Sequence, residues 1–206
     1  RLEQALVERS DWFERLASTD ALTGLANRRT FERMLELELV RAGRQGTPVS
    51  LAIFDIDGLA TINHERGADV ADDVLRQVAS ALAESVRLVD TIARLGGDEF
   101  AVLLAGLTSP DEAETVAQRL LDALKAPFST SGRAVHLSAS VGVAPARSRS
   151  VTVANLLADA DLAMYEAKTS GKGRYVVFAP TFRKAAAGRL ALEEDLRSAV
   201  AEGAFQ

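Results

Sequence analysis

The chain has 206 residues, 48% hydrophobic and 26% charged, with a formal net charge of −5, usage that suits one globular domain plus extensions. The absence of cysteine excludes disulfides and thiolate metal sites, and the surplus of acid argues against a nucleic-acid binder. No apolar run reaches the ~20 residues of a membrane span and no leader pattern opens the sequence, which predicts a cytoplasmic segment without membrane contact of its own.

Residues 1–18 carry Leu2, Leu6, Phe13 and Leu16 on a narrow helical stripe, read as a linker helix. A turn-rich junction, Asp20 to Asn27, leads into a helix from Arg28 to about Arg44 with Phe31, Leu35 and Leu39 inward, stopped by Gly43, Gly46 and Pro48. A buried-type strand from Val49 runs into Asp55-Ile56-Asp57. Two helices follow, near Leu59–Arg66 and from about Asp69 to Val86, the second with Val70, Val74, Val78 and Leu82 inward. Thr91–Arg94 and Phe100–Leu104 suit paired strands around a Gly-Gly turn. Ser109 and Pro110 open a helix over 110–125, Val135–Ala144 reads as one strand in which Gly142 relieves crowding, and Asn155–Ser170 reads as a helix. His64 is placed in a helical turn and His136 within the strand, neither with a ligand-like partner. Arg174–Phe178 supplies an edge strand, and a last amphipathic helix follows near 189–206.

Chemistry concentrates at two strand ends. The run Gly96-Gly97-Asp98-Glu99-Phe100 puts adjacent carboxylates at a hairpin tip, and Asp55 with Asp57, two residues apart, point the same way from theirs. An acidic Gly-Gly turn alone is as well explained by an ordinary exposed hairpin. If the two ends lie side by side, Asp55, Asp98 and Glu99 converge, and carboxylates gathered in one place are kept when they coordinate metal. Hard oxygen donors of this kind imply Mg²⁺ or Mn²⁺ together with a phosphate-bearing substrate.

These residues resemble the GGDEF domain of diguanylate cyclases. The hairpin carries the signature unaltered, and further matches run from Thr19-Asp20-Ala21-Leu22-Thr23 through Asn27-Arg28-Arg29, Asp55-Ile56-Asp57, Asn63, Gly67 and Asp72 to Asp161-Leu162-Ala163-Met164-Tyr165-Glu166-Ala167-Lys168. The resemblance implies an α/β sandwich of the nucleotide-cyclase, polymerase-palm (ferredoxin-like) type, a mostly antiparallel sheet flanked by helices. It implies a metal held by Asp55, the Ile56 carbonyl, Asp98 and Glu99, with Asp98 and Glu99 catalytic. Asn63 and Asp72 would read guanine, Lys168 and Lys172 would contact terminal phosphates, and Gly58 and Leu59 would complete the substrate site. Arg87 and Asp90 resemble the inhibitory RxxD site for the product, cyclic di-GMP. On local grounds alone Asn63 is a helix cap, Asp72 a first-turn acid, Arg87 and Asp90 a surface ion pair, and the lysines solvated charge.

The implied division is a signalling or linker helix at 1–18, a GGDEF domain at 19–178, and at 179–206 a linker and the opening helix of an EAL phosphodiesterase domain. The implied partners are GTP, cyclic di-GMP, a second copy of the chain and a covalently linked EAL domain, in a parent protein compatible with an upstream membrane anchor. The sequence departs from the family pattern in places. After Asp57 an aromatic and a lysine are usual, whereas this chain reads Gly58-Leu59-Ala60; Ala68 stands where a histidine is usual and Ala71 where a glycine is. Two expectations follow: a slow diguanylate cyclase, or a catalytically impaired nucleotide-binding module that regulates the adjacent EAL domain.

Overall fold

The computed structural model describes residues 18–109, 111–130, 132–146 and 150–189. The predicted N-terminal stripe and most of the final helix therefore lie outside the described residues. Asn27 ends a two-residue strand, β1 (Ala26–Asn27), and its side-chain oxygen accepts the Thr30 amide at 3.0 Å to open α1 (Arg28–Gln45). The chain then forms β2 (Ser50–Asp57), α2 (Leu59–Arg66), α3 (Ala68–Glu84), β3 (Thr91–Gly96) and β4 (Glu99–Leu104). The remaining elements are α4 (Asp111–Ala123), β5 (Phe128–Thr130), β6 (Arg133–Val135), β7 (Ser138–Pro145), α5 (Val153–Thr169) and β8 (Tyr175–Val177).

Six strands form one mixed sheet in the order β1-β3-β4-β2-β7-β8, antiparallel through the middle and parallel at both edge pairs. The expected palm-like α/β sandwich is thus present. β2 lies centrally, buried from Ser50 to Ile56, and its residues alternate between two cores. Ala52, Phe54 and Ile56 face α3 and α4 with Val74, Val78, Leu82 and Leu120, while Leu51 and Ile53 face α1 and α5 with Phe31, Leu35, Leu156 and Ala160. Among the described residues no helix is long and apolar enough to cross a membrane.

The predicted crowding at Gly142 is present and severe. A Cβ there would lie 2.0 Å from the Ala160 carbonyl oxygen and 2.3 Å from the Met164 nitrogen, so α5 rests on bare backbone. Three expectations need correction. Val135–Ala144 is two strands, because Val135 pairs with Phe128 in a separate small hairpin and the chain turns before β7 begins at Ser138. His136 consequently sits in that connection, not in a strand. Val70 is only half-buried in the first turn of α3, whose inward face is filled by Ala71, Val74, Leu75, Val78, Ala79 and Leu82.

Residues 180–189 are helical and fold back on the domain. The Arg183 guanidinium grips the buried Asp159 carboxylate of α5 through two 2.7 Å hydrogen bonds and lies 5.3 Å from the centre of the Phe178 ring. Phe178 meets Phe182 edge to face at 6.1 Å.

Candidate functional site

The site grows from strand register. β2 and β4 pair with Asp55 opposite Glu99, and directly opposed residues project to the same face. The Ile56 amide donates to the Asp98 carbonyl at 3.2 Å, so the hairpin tip leans on the end of β2. Because the amide and carbonyl of an antiparallel strand residue face the same neighbour, the Ile56 carbonyl also points toward the tip. Asp55, Ile56, Asp98 and Glu99 are thereby brought to one corner of the sheet.

The tip is held from outside. The register slips between Arg94 and Gly96, and Arg94 bridges the slip by donating to the Gly97 carbonyl at 3.0 and 2.7 Å and to Asp20 at 3.1 Å. Burial opposes ionisation of Asp20, but hydrogen bonds from the Thr23 hydroxyl and amide, and then Arg94, outweigh it and hold the carboxyl below its ordinary value. Arg28 donates to the Leu95 carbonyl at 3.2 Å and to Glu99 at 3.4 Å. Sequence reasoning assigned no role to Arg28, Arg94 or Asp20. Asp20 and Arg94 are 74 residues apart, and only a guess at the tertiary fold could have paired them.

Asp55 is 8% exposed, with its Oδ2 2.6 Å from the Lys168 ammonium. Burial pushes its carboxyl above the ordinary value; the Lys168 hydrogen bond opposes this, and the charges of Asp98 and Asp57 push it further up. Among the described residues no three acids or histidines form a preformed metal cage. Donor chemistry nevertheless suits a hard divalent cation: two opposed carboxylates, a hairpin acid near enough to disfavour ionisation of Asp55, and a backbone carbonyl. Lys168 and Arg28 now neutralise the two opposed acids and would have to give way.

Beside this corner a cavity of about 290 Å³ opens between α2, α3 and the hairpin, lined among others by Leu59, Asn63, Asp72 and Asp98. Ala60, Ala68 and Ala71 line it too, so the three alanine departures from the family pattern fall on its wall. Gly58 bends the chain from β2 into α2.

Asp57 does not extend the acidic corner as its spacing suggested. Its Oδ2 accepts from the Ser138 hydroxyl at 2.7 Å and the Gly173 amide at 3.2 Å, and its Oδ1 from the Ser140 hydroxyl at 2.8 Å. Lys172 is exposed beside it, in the loop after α5. Far from the corner, Asp90 Oδ2 accepts the Arg87 amide at 2.9 Å, while Asp90 Oδ1 is buried without a partner among the described residues. The Arg87 guanidinium pairs instead with Glu112 at 3.7 Å.

A family model described as "Diguanylate cyclase, GGDEF domain" matches residues 17–174. The chain belongs to the GGDEF domain family. It is 37% identical over 185 residues to the bifunctional diguanylate cyclase/cyclic di-GMP phosphodiesterase MucR of Pseudomonas aeruginosa, covering 90% of this chain and 27% of that protein. The GGDEF domain of TpbB from the same organism superposes with a TM-score of 0.78 at 36% identity, covering 81% of this chain and 97% of that one. The coiled coil and GGDEF domain of DgcB from Caulobacter crescentus, in complex with cyclic di-GMP, gives a TM-score of 0.78 at 27% identity, covering 84% of this chain and 92% of that one. The chain spans about a quarter of the length of the curated relatives it matches.

Proposed function

We propose that this GGDEF domain is a diguanylate cyclase that joins two GTP molecules into cyclic di-GMP with release of pyrophosphate. The observation that carries the reading is the continuity of one cavity from Asn63 and Asp72 to Asp98, at the strand end where Asp55 opposes Glu99. Asp72 can accept from the N1–H and amino group of guanine while the Asn63 amide donates to an acceptor on the same base. Asp55, the Ile56 carbonyl, Asp98 and Glu99 would hold Mg²⁺ or Mn²⁺. When bound, such an ion neutralises phosphate charge and lowers the cost of the attacking alkoxide and the leaving pyrophosphate.

Asp98 takes the proton of the 3′-hydroxyl of one GTP, whose oxygen forms a bond to the α-phosphorus of the other while the bond to pyrophosphate breaks; the same step from the second GTP, served by the other chain's Asp98, closes the ring and releases a second pyrophosphate. Lys168 and Lys172 attract the terminal phosphates, and Gly58 and Leu59 frame the approach to them. One chain offers one such site, so two chains must face each other as a symmetric homodimer. Arg87 and Asp90 would bind cyclic di-GMP as an inhibitor, for which the Arg87 guanidinium would leave Glu112.

A second reading keeps nucleotide binding without turnover, with the domain regulating a linked EAL phosphodiesterase domain in the longer protein. Ala60 on the cavity wall favours it, since the positive charge usual at that position is missing. Incubating the purified chain with GTP and Mg²⁺ and measuring cyclic di-GMP by chromatography separates the two. The cyclase reading expects product from the wild type and none from Asp98→Ala; bound GTP with no product would leave the regulatory reading standing.

A further inference from the structure

The loop joining α5 to β8 holds an unusual backbone. Gly171, Lys172 and Gly173 all have positive φ, at 123°, 60° and 58°, and Lys172 alone bears a side chain, for which that region is disfavoured. Something outside the loop must hold it. The Lys172 amide donates to the Ala167 carbonyl at 3.0 Å, which closes the helix end. On the far side of the lysine, the Gly173 amide donates across 116 positions of sequence to Asp57 Oδ2 at 3.2 Å. The same carboxylate accepts from the Ser138 and Ser140 hydroxyls at 2.7 and 2.8 Å, and Ser140 is fully buried. Asp57 is thus fixed to β7 before it reaches the loop, two residues beyond Asp55 on the same strand.

We infer that Asp57 is a positioning residue for Lys172: it pins the left-handed Gly171–Gly173 loop to the end of β2, so that the lysine ammonium is presented toward the acidic corner. The inference rests on the proposed GTP site for its ligand but names a residue and a role outside that set. Its chemistry needs acceptors rather than charge. An asparagine with its oxygen in the Oδ2 position would keep the Ser138 and Gly173 bonds, and its amide could donate to a rotated Ser140 hydroxyl.

The test pairs two readouts on Asp57→Ala, Asp57→Asn, Lys172→Ala and the double variant Asp57→Ala/Lys172→Ala. Amide hydrogen exchange over 170–174 needs no nucleotide and reports the pin directly. It should quicken in Asp57→Ala and stay near wild type in Asp57→Asn, whose folding also guards against a misfolded alanine variant. Titration with GTP and Mg²⁺ should show Asp57→Ala weakened about tenfold, as expected for loss of one charge-assisted contact, with GMP affinity unmoved. That weakening should vanish when Lys172 is already alanine. Unchanged exchange in Asp57→Ala, Asp57→Asn as damaging as alanine, or an undiminished loss in the double variant would each overturn the inference. A wild type that binds no GTP while Asp57→Ala still quickens exchange would refute the proposed ligand and leave the pin intact.

Discussion

Replacing Gly142 by alanine tests how α5 is seated, and with it the platform that carries Lys168 to Asp55. The added carbon would sit 2.0 Å from the Ala160 carbonyl oxygen and 2.3 Å from the Met164 nitrogen, both backbone atoms that no rotamer change can move. Restoring an ordinary carbon–oxygen contact of ~3.3 Å requires the helix to lift by about 1.3 Å along that contact. A gap of even ~1 Å forfeits up to about half of the dispersion energy of the atoms facing it, and those atoms belong to Leu156, Ala160, Ala163, Met164 and Ala167, all buried. Added to the usual 1–3 kcal/mol for overpacking, the expected destabilisation is about 2–4 kcal/mol. Urea unfolding with linear extrapolation, compared at equal slope with the wild type, measures it directly. A loss below about 0.5 kcal/mol, within the range of ordinary surface changes, would mean that α5 does not rest on the strand as described.

Two further outcomes follow from charged pairs. The native carboxyl of Asp20 is held below the ordinary 3.8, so its stabilisation is complete above that pH and is lost as pH falls through the lower native value. The stability margin of wild type over Asp20→Asn should therefore be present at neutral pH and close under strong acid; a margin independent of pH would refute the assignment. Arg183→Ala leaves the buried Asp159 carboxylate without its two 2.7 Å donors and should cost about 1–3 kcal/mol in chemical denaturation. Arg183→Lys should recover less than half of that, since an ammonium cannot reproduce the paired fork.

Local signals made much of the fold legible. The Gly-Gly turn between two apolar strands and the lone glycine in the Gly142 strand each state a backbone requirement within a few residues. The acids of the corner were legible as two acidic strand ends, but that Asp55 lies opposite Glu99 is a long-range pairing that the sequence offered only as a condition, supported by the family resemblance. What escaped were partnerships made at long range. The β5–β6 hairpin is three residues a side, too short to show a period, so Val135 was absorbed into the following strand. Arg28, Arg94 and Asp57 look like ordinary surface charge until the structure shows that each meets a group far along the chain: the Leu95 carbonyl, the Asp20 carboxylate and the Gly173 amide. For Asp57, alternation fixes the face but not the partners, and the Ser138 and Ser140 hydroxyls occupy its oxygens.

The central claim is that one chain holds one GTP, its base against Asp72 and its phosphates at the Asp55–Glu99 corner. Calorimetric titration of a non-hydrolysable GTP analogue in Mg²⁺ into the wild type and Asp72→Ala tests it most directly. The account predicts saturable binding of one nucleotide per chain, weakened about 10–100-fold in Asp72→Ala as a hydrogen-bonded base loses its charged acceptor. No binding to the wild type, or equal affinity in the two proteins, would contradict it.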